Sequence, residues 1–167
     1  MTIYYTMIIS PIGQIYVSGT KNGLNLLTFS KKEWQKYNEK VKRKHEKLIK
    51  NDSLFSNLKR ELKDYVSGEN VEFKDKLDFS YGTEFQKRVW KEMRKIPYGE
   101  TRSYRWLAKK VGNSTKARAV GNACGANQFP IIVPCHRVIK EDGGLGGFSG
   151  GIETKKKLLK LEKVELR

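Results

Sequence analysis

The sequence has few of the residues from which metal sites and disulfide frameworks are built. Its 167 residues include two cysteines, Cys124 and Cys135, and two histidines, His45 and His136. A structural zinc site would need all four to converge, and their spacing matches no zinc motif. We therefore expect neither a metal nor a cofactor. A structural disulfide is disfavoured, because nothing in the sequence indicates secretion.

Long apolar runs are also missing. No stretch approaches the roughly 20 residues that a membrane-spanning helix requires. Residues 1–6 lack the basic start and the long apolar core of a secretory signal. We therefore expect no membrane partner and a cytoplasmic location (nucleoid-associated, or nuclear in a eukaryote), where a free thiolate persists.

Acidic side chains are scarce relative to basic ones. The chain has 34 Lys and Arg against 18 Asp and Glu, a formal net charge of +16. Residues 1–80 have a net charge of +5 and residues 81–167 one of +11. Such an excess indicates a polyanionic partner, although a lysine-rich soluble surface would give the same total. With 38% hydrophobic and 31% charged residues, the composition is that of one globular domain or two small ones.

In the first half, the pattern predicts three strands followed by two helices. Residues 2–9, 14–18 and 24–29 are rich in β-branched and apolar side chains, with turn signals between them. Residues 31–50 are predicted to be helical. A second helix, capped by Asp52 or Ser53 and ended by Gly68, has a predicted buried stripe of Leu54, Leu58, Leu62, Tyr65 and Val66. Residues 69–80 are polar and are predicted to form a linker.

The second half is predicted to be mostly helical. Helices are expected at 84–96, 103–111, from Ser114 or Thr115 to about 124, and at 153–164. The second and third of these are separated by Gly112-Asn113, a tight turn. Helix, glycine turn, helix is the layout of a helix-turn-helix. The basic charge of this half strengthens that interpretation, and a plain helical hairpin remains an equal alternative.

The most reactive pair of side chains lies in Pro134-Cys135-His136-Arg137-Val138. The apolar residues 131–133 precede it and predict a brief buried segment that ends at the proline. A thiol beside an imidazole suggests an activated nucleophile, because the thiolate is the reacting species and a base must form it. The alternative is a small buried thiol next to a structural histidine.

The run at 134–138 resembles the active-site signature of the O6-alkylguanine-DNA alkyltransferases, also called methylated-DNA–protein-cysteine methyltransferases. The resemblance extends from about residue 85 to 162 and needs no gaps, whereas the first eighty residues match only in layout. The matching segments are Tyr98-Gly99-Glu100, Ser103-Tyr104, Ala117-Arg118-Ala119-Val120-Gly121, Asn127, the 134–138 run and Ser149-Gly150-Gly151.

The resemblance implies an α+β architecture in two domains. Residues 1–79 would be a small ribonuclease-H-like α/β scaffold domain. Residues 80–167 would be a mostly helical, winged-helix-like domain that contains the helix-turn-helix and the alkyl-transfer site. The residues themselves predict only that strands come first and helices follow.

The resemblance also implies a single-turnover DNA repair reaction. Cys135 would receive the alkyl group from O6-alkylguanine, and from O4-alkylthymine, irreversibly. His136, oriented by Glu162, would remove the thiol proton through a bridging water, and Tyr104 would protonate the departing base. From spacing alone, Glu162 shares a helix face with Leu158 and could equally pair with an exposed lysine.

Implied DNA contacts centre on residues 116–121. This helix has small side chains at Ala117, Ala119 and Gly121, so it can approach DNA closely while reading few base edges. The resemblance implies that this helix docks in the minor groove of DNA. Arg118 would take the place of an extruded nucleotide, and Lys116 would lie beside it. From the residues alone, Arg118 could equally contact a phosphate. The expected partner is double-stranded DNA with O6-alkylguanine, bound by a monomer without strong sequence preference.

The implied substrate pocket contains aromatic, small and amide side chains. Asn127 would brace the turn after the helix, and Ser149 would bind the O6 edge. Phe148 stands where family members often have tyrosine, which excludes a hydroxyl at that position. Cys124 is interpreted as packing, and Lys155 as part of a solvated run. The implied pocket residues are Tyr104, Asn127, Pro130, Val138, Phe148 and Ser149.

Two other functions compete with this one. The first is a non-enzymatic helix-turn-helix protein that binds DNA or senses lesions, but the family's sensing relatives lack the cysteine that this chain has at 135. The second is a cysteine hydrolase, in which the cysteine and histidine are usually distant in sequence rather than adjacent.

Overall fold

The computed structural model describes residues 1–148 and 150–166. The chain divides into two compact units, one spanning Met1–Asp78 and the other beginning at Phe79. Among the described residues, no helix is long and apolar enough to cross a membrane.

A four-stranded sheet forms the first unit. Its strands are β1 (Thr2–Ser10), β2 (Gly13–Thr20), β3 (Gly23–Thr28) and β4 (Lys47–Lys50). They lie in the order β3-β2-β1-β4, with two antiparallel hairpins and with β4 parallel to β1. The three predicted strands are present, and the fourth was not predicted.

Helix α1 (Lys31–Arg43) is shorter than the 31–50 helix that the sequence predicts. Its start is fixed by Ser30, whose side chain accepts a hydrogen bond from the backbone N–H of Glu33. It ends before His45, which has a φ of 55°. The following residues pair with β1 instead, because backbone pairing across the sheet outweighs the local helical pattern.

Helix α2 (Ser56–Val66) buries Leu58, Leu62 and Tyr65 as predicted. Leu54 was predicted to be buried and is 57% exposed, because it lies in a 3-10 turn that precedes the helix. Asp52 does not cap this helix. Its carboxylate accepts a hydrogen bond from Oγ1 of Thr6 at 2.6 Å and so ties the turn to β1.

Both faces of the sheet are covered. The Trp34 ring of α1 stacks on Tyr16 at 5.6 Å and contacts Tyr5 at 5.4 Å. Thr6 follows Tyr5 and points to the opposite face, where it meets Asp52. As a result residues 15–19 of β2 are all buried, although side chains along a strand point alternately to opposite faces of the sheet.

The predicted linker at 69–80 is partly incorporated into this unit. The backbone N–H of Leu24 donates to the carbonyl of Lys76 at 2.8 Å, and that of Asp78 donates to the carbonyl of Leu24 at 2.7 Å. Gly23 has a φ of 124°, and a Cβ there would lie 2.5 Å from the Lys76 carbonyl oxygen. Only glycine permits this close approach. Because of these backbone hydrogen bonds, residues 76–78 lie along the edge of the sheet and do not form an open linker.

The second unit is mostly helical. Two short strands, β5 and β6, pair in parallel. Its elements are α3 (Glu84–Arg94), β5 (Arg102–Ser103), α4 (Tyr104–Lys110), α5 (Ala117–Gly125), β6 (Val138–Ile139) and α6 (Ile152–Leu161). The predicted α+β class, with the sheet first and the helices after it, is confirmed.

Capping side chains determine where the helices of the helix-turn-helix begin. Ser103 caps α4 by accepting from the backbone N–H of Trp106. After Gly112, whose φ is 112°, the cap of the next turn is Asn113 rather than the predicted Ser114 or Thr115. Its side chain accepts a hydrogen bond from the backbone N–H of Thr115 at 2.9 Å. A short 3-10 turn then leads into α5.

A buried tryptophan holds α5 in place. Trp90 of α3 has no exposed surface, and its Nε1–H donates to the carbonyl of Ala123 at 2.8 Å. Phe79 and Tyr81 pack against the same ring at 5.5 and 5.0 Å. The position of α5, from which Arg118 projects, is therefore fixed from its buried side.

Candidate active site

Cys135 begins a single 3-10 turn directly after Pro134. Its backbone N–H donates to the carbonyl of Val133 at 2.8 Å, and that of Arg137 donates to the carbonyl of Pro134 at 3.0 Å. The preceding residues 131–133 are buried but form turns rather than a strand. Ile131 has a φ of 77°, which is strained for a β-branched residue and costs on the order of 1–3 kcal/mol.

Asn127 braces this segment. Its Nδ2 donates to the carbonyl of Val133 at 2.9 Å, and its Oδ1 accepts from the backbone N–H of Phe129 at 2.9 Å. The side chain is buried, and its amide lowers the pKa of the Cys135 thiol. One amide therefore fixes the strained turn and favours ionisation of the nearby sulfur.

A cavity of about 500 Å³ opens beside Cys135. One wall is the small-residue side of α5, and the opposite wall is the glycine-rich segment after β6. The lining residues are Tyr104, Ala117, Arg118, Gly121, Asn122, Cys124, Gly125, Cys135, Lys140, Gly146, Gly147 and Phe148.

The structure places the predicted pocket residues in three groups. Tyr104 and Phe148 line the cavity. Asn127, Pro130 and Val138 are buried and are not among its lining residues. Ser149 lies outside the described residues.

His136 and Arg137 both bind the carboxylate of Glu162. His136 Nε2 shares a short hydrogen bond with Oε2. Arg137 donates from Nε to Oε1 at 2.8 Å, and its Nη1 donates to the carbonyl of Ile96 at 2.7 Å. The backbone N–H of Gly99 donates to Oε1 at 3.0 Å. Sequence reasoning placed Glu162 beside His136 but missed Arg137.

The pKa values indicate a protonated thiol next to a neutral imidazole. Burial raises the pKa of the Cys135 thiol to about 11, although the Asn127 hydrogen bond and the Lys155 charge lower it. Burial lowers the pKa of His136, so its imidazole is neutral at pH 7. Burial opposes ionisation of Glu162, but hydrogen bonds from His136 and Arg137 outweigh it and hold the carboxyl pKa at about 2. A neutral imidazole on a fixed carboxylate can accept a proton.

Tyr104 lies at the start of α4 with its ring in the cavity. Burial, followed by the two cysteines, raises the pKa of its hydroxyl to about 12, so the group stays protonated at neutral pH. Its Oη lies directly over Gly146, where a Cβ would come within 2.8 Å of it. Gly146 was part of the glycine-rich run in the sequence, but its contact with Tyr104 was not foreseen.

Lys155 was predicted to be solvated, and this was wrong. Its side chain has no exposed surface, and Nζ donates to the carbonyl of Val138 at 2.7 Å and to that of Gly147 at 3.2 Å. Helical spacing puts Lys155 three, four and seven residues before Leu158, Leu159 and Glu162, all of which are buried. That spacing places Lys155 on the buried face of the helix and could have predicted its burial. The prediction was wrong because a charged side chain was assumed to be exposed.

The expected DNA-contacting side lies next to the cavity mouth. Arg118 is exposed and lines the cavity, and Lys116 and Ala119 are exposed beside it. Lys116 Nζ also lies 5.7 Å from the centre of the Phe85 ring. Two exposed cations, Lys116 and Arg118, and a helix of mostly small side chains therefore lie beside the thiol-containing cavity.

Two family models match the chain. Residues 3–79 match the ribonuclease-like domain of 6-O-methylguanine DNA methyltransferase. Residues 84–164 match the DNA-binding domain of 6-O-methylguanine DNA methyltransferase.

Similar proteins cover nearly the whole chain. A methylated-DNA–protein-cysteine methyltransferase of Methanosarcina acetivorans is 42% identical over 160 residues, covering 96% of this chain and 98% of that protein. The crystal structure of the Mycobacterium tuberculosis O6-methylguanine methyltransferase has a TM-score of 0.81 at 42% identity, covering 96% of this chain and 93% of that one. A complex of the same M. tuberculosis protein with DNA gives a TM-score of 0.81 at 41% identity, covering 98% and 93%.

Proposed function

This chain belongs to the 6-O-methylguanine DNA methyltransferase family, and from that membership we propose how its own residues perform the reaction. The protein repairs DNA by transferring an alkyl group from O6-alkylguanine to a cysteine of its own. We assign Cys135 as the acceptor and extend the substrates to O4-alkylthymine. The observation that supports this assignment best is the position of Cys135, in a cavity bordered by α5 and its Arg118.

Activation of the thiol requires a base. The neutral His136 takes the proton from Cys135, and the imidazolium that forms is stabilised by the ionised Glu162. Arg137 keeps that carboxylate charged and oriented. The proton therefore moves away from the sulfur into a buried hydrogen-bonded pair, and the thiolate is the nucleophile.

Alkyl transfer is a direct displacement. The Cys135 sulfur forms a bond to the alkyl carbon while the bond from that carbon to guanine O6 breaks, and the electron pair moves onto the base. Tyr104 donates its proton to guanine N3, so guanine leaves as a neutral molecule. The thioether product is stable to water, and no described residue is placed to remove the alkyl group, so each molecule reacts once.

Access to the alkyl carbon requires the damaged nucleotide to leave the base stack. The small side chains of Ala117, Ala119 and Gly121 allow α5 to approach the minor groove. Arg118, at the mouth of the cavity, fills the space of the extruded nucleotide. Binding through phosphates and groove shape gives little sequence preference, as repair at any site requires.

The remaining proposals concern context. Residues 1–79 act as the scaffold domain and residues 80–167 as the reacting domain. The protein works as a monomer, since every group assigned a role lies in one chain. A reducing, cytoplasmic location suits it, because both cysteines are free thiols and Cys135 must stay reduced.

The test is mass spectrometry after incubation with duplex DNA that contains one O6-methylguanine. The expected result is one added methyl group per protein, mapped by peptide analysis to Cys135. Cys135→Ala should abolish transfer while DNA binding survives, and Cys124→Ala should retain transfer. A methyl group on Cys124 would overturn the assignment. Unchanged mass with tight binding to the lesion would instead indicate a sensing protein.

A further inference from the structure

Lys155 is a buried cation that has no acidic partner among the residues that the structure describes. It lies in the second turn of α6, where the next residue, Lys156, is exposed and pairs with Glu153. Among residues 1–148 and 150–166, no carboxylate forms an ion pair with Lys155. Within the described part of the chain, its ammonium donates hydrogen bonds to the carbonyl oxygens of Val138 and Gly147. Burying an ammonium in this way is costly unless an anion offsets its charge.

The ammonium lies behind the wall of the reaction cavity. Gly147 lines the cavity, and Val138 comes directly after the Cys135–Arg137 turn. Nζ is also 5.9 Å from the centre of the Tyr104 ring. The two carbonyl contacts therefore hold the positive charge next to the wall of the cavity that Cys135 also lines.

Four titratable groups interact with Lys155. Its charge influences the ionisation of Cys135 and His136 in the active-site turn and of Cys124 in α5, and its Nζ lies 5.9 Å from the centre of the Tyr104 ring of α4. Of these, the Cys135 thiol is the group that must become an anion for reaction. Cys124 and Tyr104 both have raised pKa values, mainly because they are buried, and remain protonated.

The other buried cation at the site is already neutralised. Arg137 places its guanidinium on Glu162 and on the carbonyl of Ile96. His136 is neutral until it accepts the thiol proton. Arg118 and Lys140 also line the cavity, but both are exposed to solvent. Lys155 is therefore the buried cation of this site whose charge no described carboxylate offsets.

We propose that Lys155 is the counter-charge of the Cys135 thiolate, a positioning residue that makes the thiol easier to ionise without touching the substrate or exchanging a proton. The inference rests on the proposed function insofar as Cys135 is the nucleophile. The thiol proton still passes to His136, and Lys155 keeps its own protons throughout.

A pH signature distinguishes this charge effect from a packing effect. Burial lowers the pKa of Lys155 to about 8, despite the opposing influence of Cys135 and Cys124. Below that pH the ammonium is charged and stabilises the thiolate. Above it the lysine is neutral and this stabilisation is lost. A residue that only packed against the loop would change reactivity equally at every pH.

The experiment measures alkylation of Cys135 by iodoacetamide from pH 6 to 10, with peptide mapping to separate it from Cys124. Lys155→Met removes the charge at similar volume, and Lys156→Met removes an equal formal charge from the exposed side of the same helix. We expect Lys155→Met to react about tenfold more slowly at pH 7, the equivalent of one pH unit in thiol pKa. The deficit should shrink above pH 8, and Lys156→Met should match the wild type.

Lys155→Gln tests the hydrogen bonds separately, because its amide can still donate to a carbonyl but has no charge. It should be as slow as Lys155→Met. Recovery of wild-type rates in Lys155→Gln, or a deficit independent of pH in Lys155→Met, would overturn the proposal.

A further measurement uses the wild-type protein alone, so it does not depend on whether a variant folds. Its logarithmic alkylation rate should rise with pH to about 8, flatten while Lys155 loses its proton, and rise again. A single straight line of unit slope from pH 6 to 10 would refute the role of Lys155. The methyl-transfer assay on DNA is independent of this profile, so failure of the proposed function and failure of this inference are distinguishable.

Discussion

Arg137 holds Glu162 by both carboxylate oxygens, from Nε to Oε1 at 2.8 Å and from Nη2 to Oε2 at 3.3 Å. Glu162 is the residue at which α6 ends, and Arg137 lies in the active-site turn. The pair therefore joins the end of the last helix to the residue next to the proposed base. Both side chains are buried, so the pair is well shielded from solvent.

The first prediction concerns acid stability. The pKa of Glu162 is lowered from 4.5 to about 2, so its contribution is present above pH 4.5 and is lost as the pH falls towards 2. The loss should be on the order of 3 kcal/mol. Urea unfolding followed by tryptophan fluorescence should show this decline in the wild type and a flatter profile in Glu162→Gln.

The matched control is Glu153→Gln, since Glu153 lies in the same helix and its side chain is 77% exposed. It should keep the wild-type pH profile, because surface ion pairs contribute little. Identical profiles for the wild type and Glu162→Gln would show that another carboxylate causes the acid sensitivity.

The second prediction separates thiol activation from DNA binding. His136→Ala should slow methyl transfer by about 10²–10⁴-fold, the usual contribution of a general base. Glu162→Gln should slow it as well, because the imidazolium loses its charged partner. Single-turnover transfer and binding affinity are measured on the same oligonucleotide, and affinity should be nearly unchanged. If Cys135 reacted equally fast in Glu162→Gln, Glu162 would have no part in the mechanism.

The third prediction tests the role of Arg118. Arg118→Ala should slow repair of duplex DNA far more than reaction with the free base O6-benzylguanine, which needs no extrusion. Lys116→Ala is the control, because Lys116 is an exposed cation in the turn just before α5 and does not line the cavity. It should weaken binding to all duplexes and reduce the salt slope by about one. Equal losses on both substrates in Arg118→Ala would mean that Arg118 serves the pocket rather than extrusion.

Local sequence signals located the thiol, the imidazole and most helices. Cys135 and His136 are adjacent, so no tertiary information was needed to pair them. The buried faces of α2 and α3 follow from apolar spacing alone. Glu162 required the family resemblance, because its helical spacing is equally compatible with an exposed ion pair.

The features that sequence reasoning missed depend on partners distant in the chain. Strand β4 exists because it pairs with β1, although its residues continue a helical pattern. Lys155 is buried because two carbonyls from other segments bind its ammonium, which no local pattern encodes. Arg137 acquires its role only when the end of α6 brings Glu162 beside it. In each case a tertiary contact overrides the local preference of the segment.

The last prediction concerns Gly146, which has a φ of 72° and lies against Tyr104. In Gly146→Ala, the new Cβ would lie 2.8 Å from the Tyr104 Oη and 3.0 Å from its ring carbon Cε2. The ring must move, and the alanine backbone is itself strained by roughly 1–2 kcal/mol. Because Tyr104 is the proposed proton donor to the departing guanine, methyl transfer should slow by more than the change in stability explains.

Gly147→Ala is the matched control for this prediction. Gly147 also lines the cavity, but a Cβ there meets nothing within 4 Å and its φ is not in the left-handed region. Transfer rates and melting temperatures are compared for both variants, alone and combined with Tyr104→Phe. If Gly146→Ala acts through the tyrosine hydroxyl, its rate effect should be much smaller in the Tyr104→Phe background, since contacting residues are not additive. Equal effects in both backgrounds would show that Gly146 supports the loop and not the proton donor.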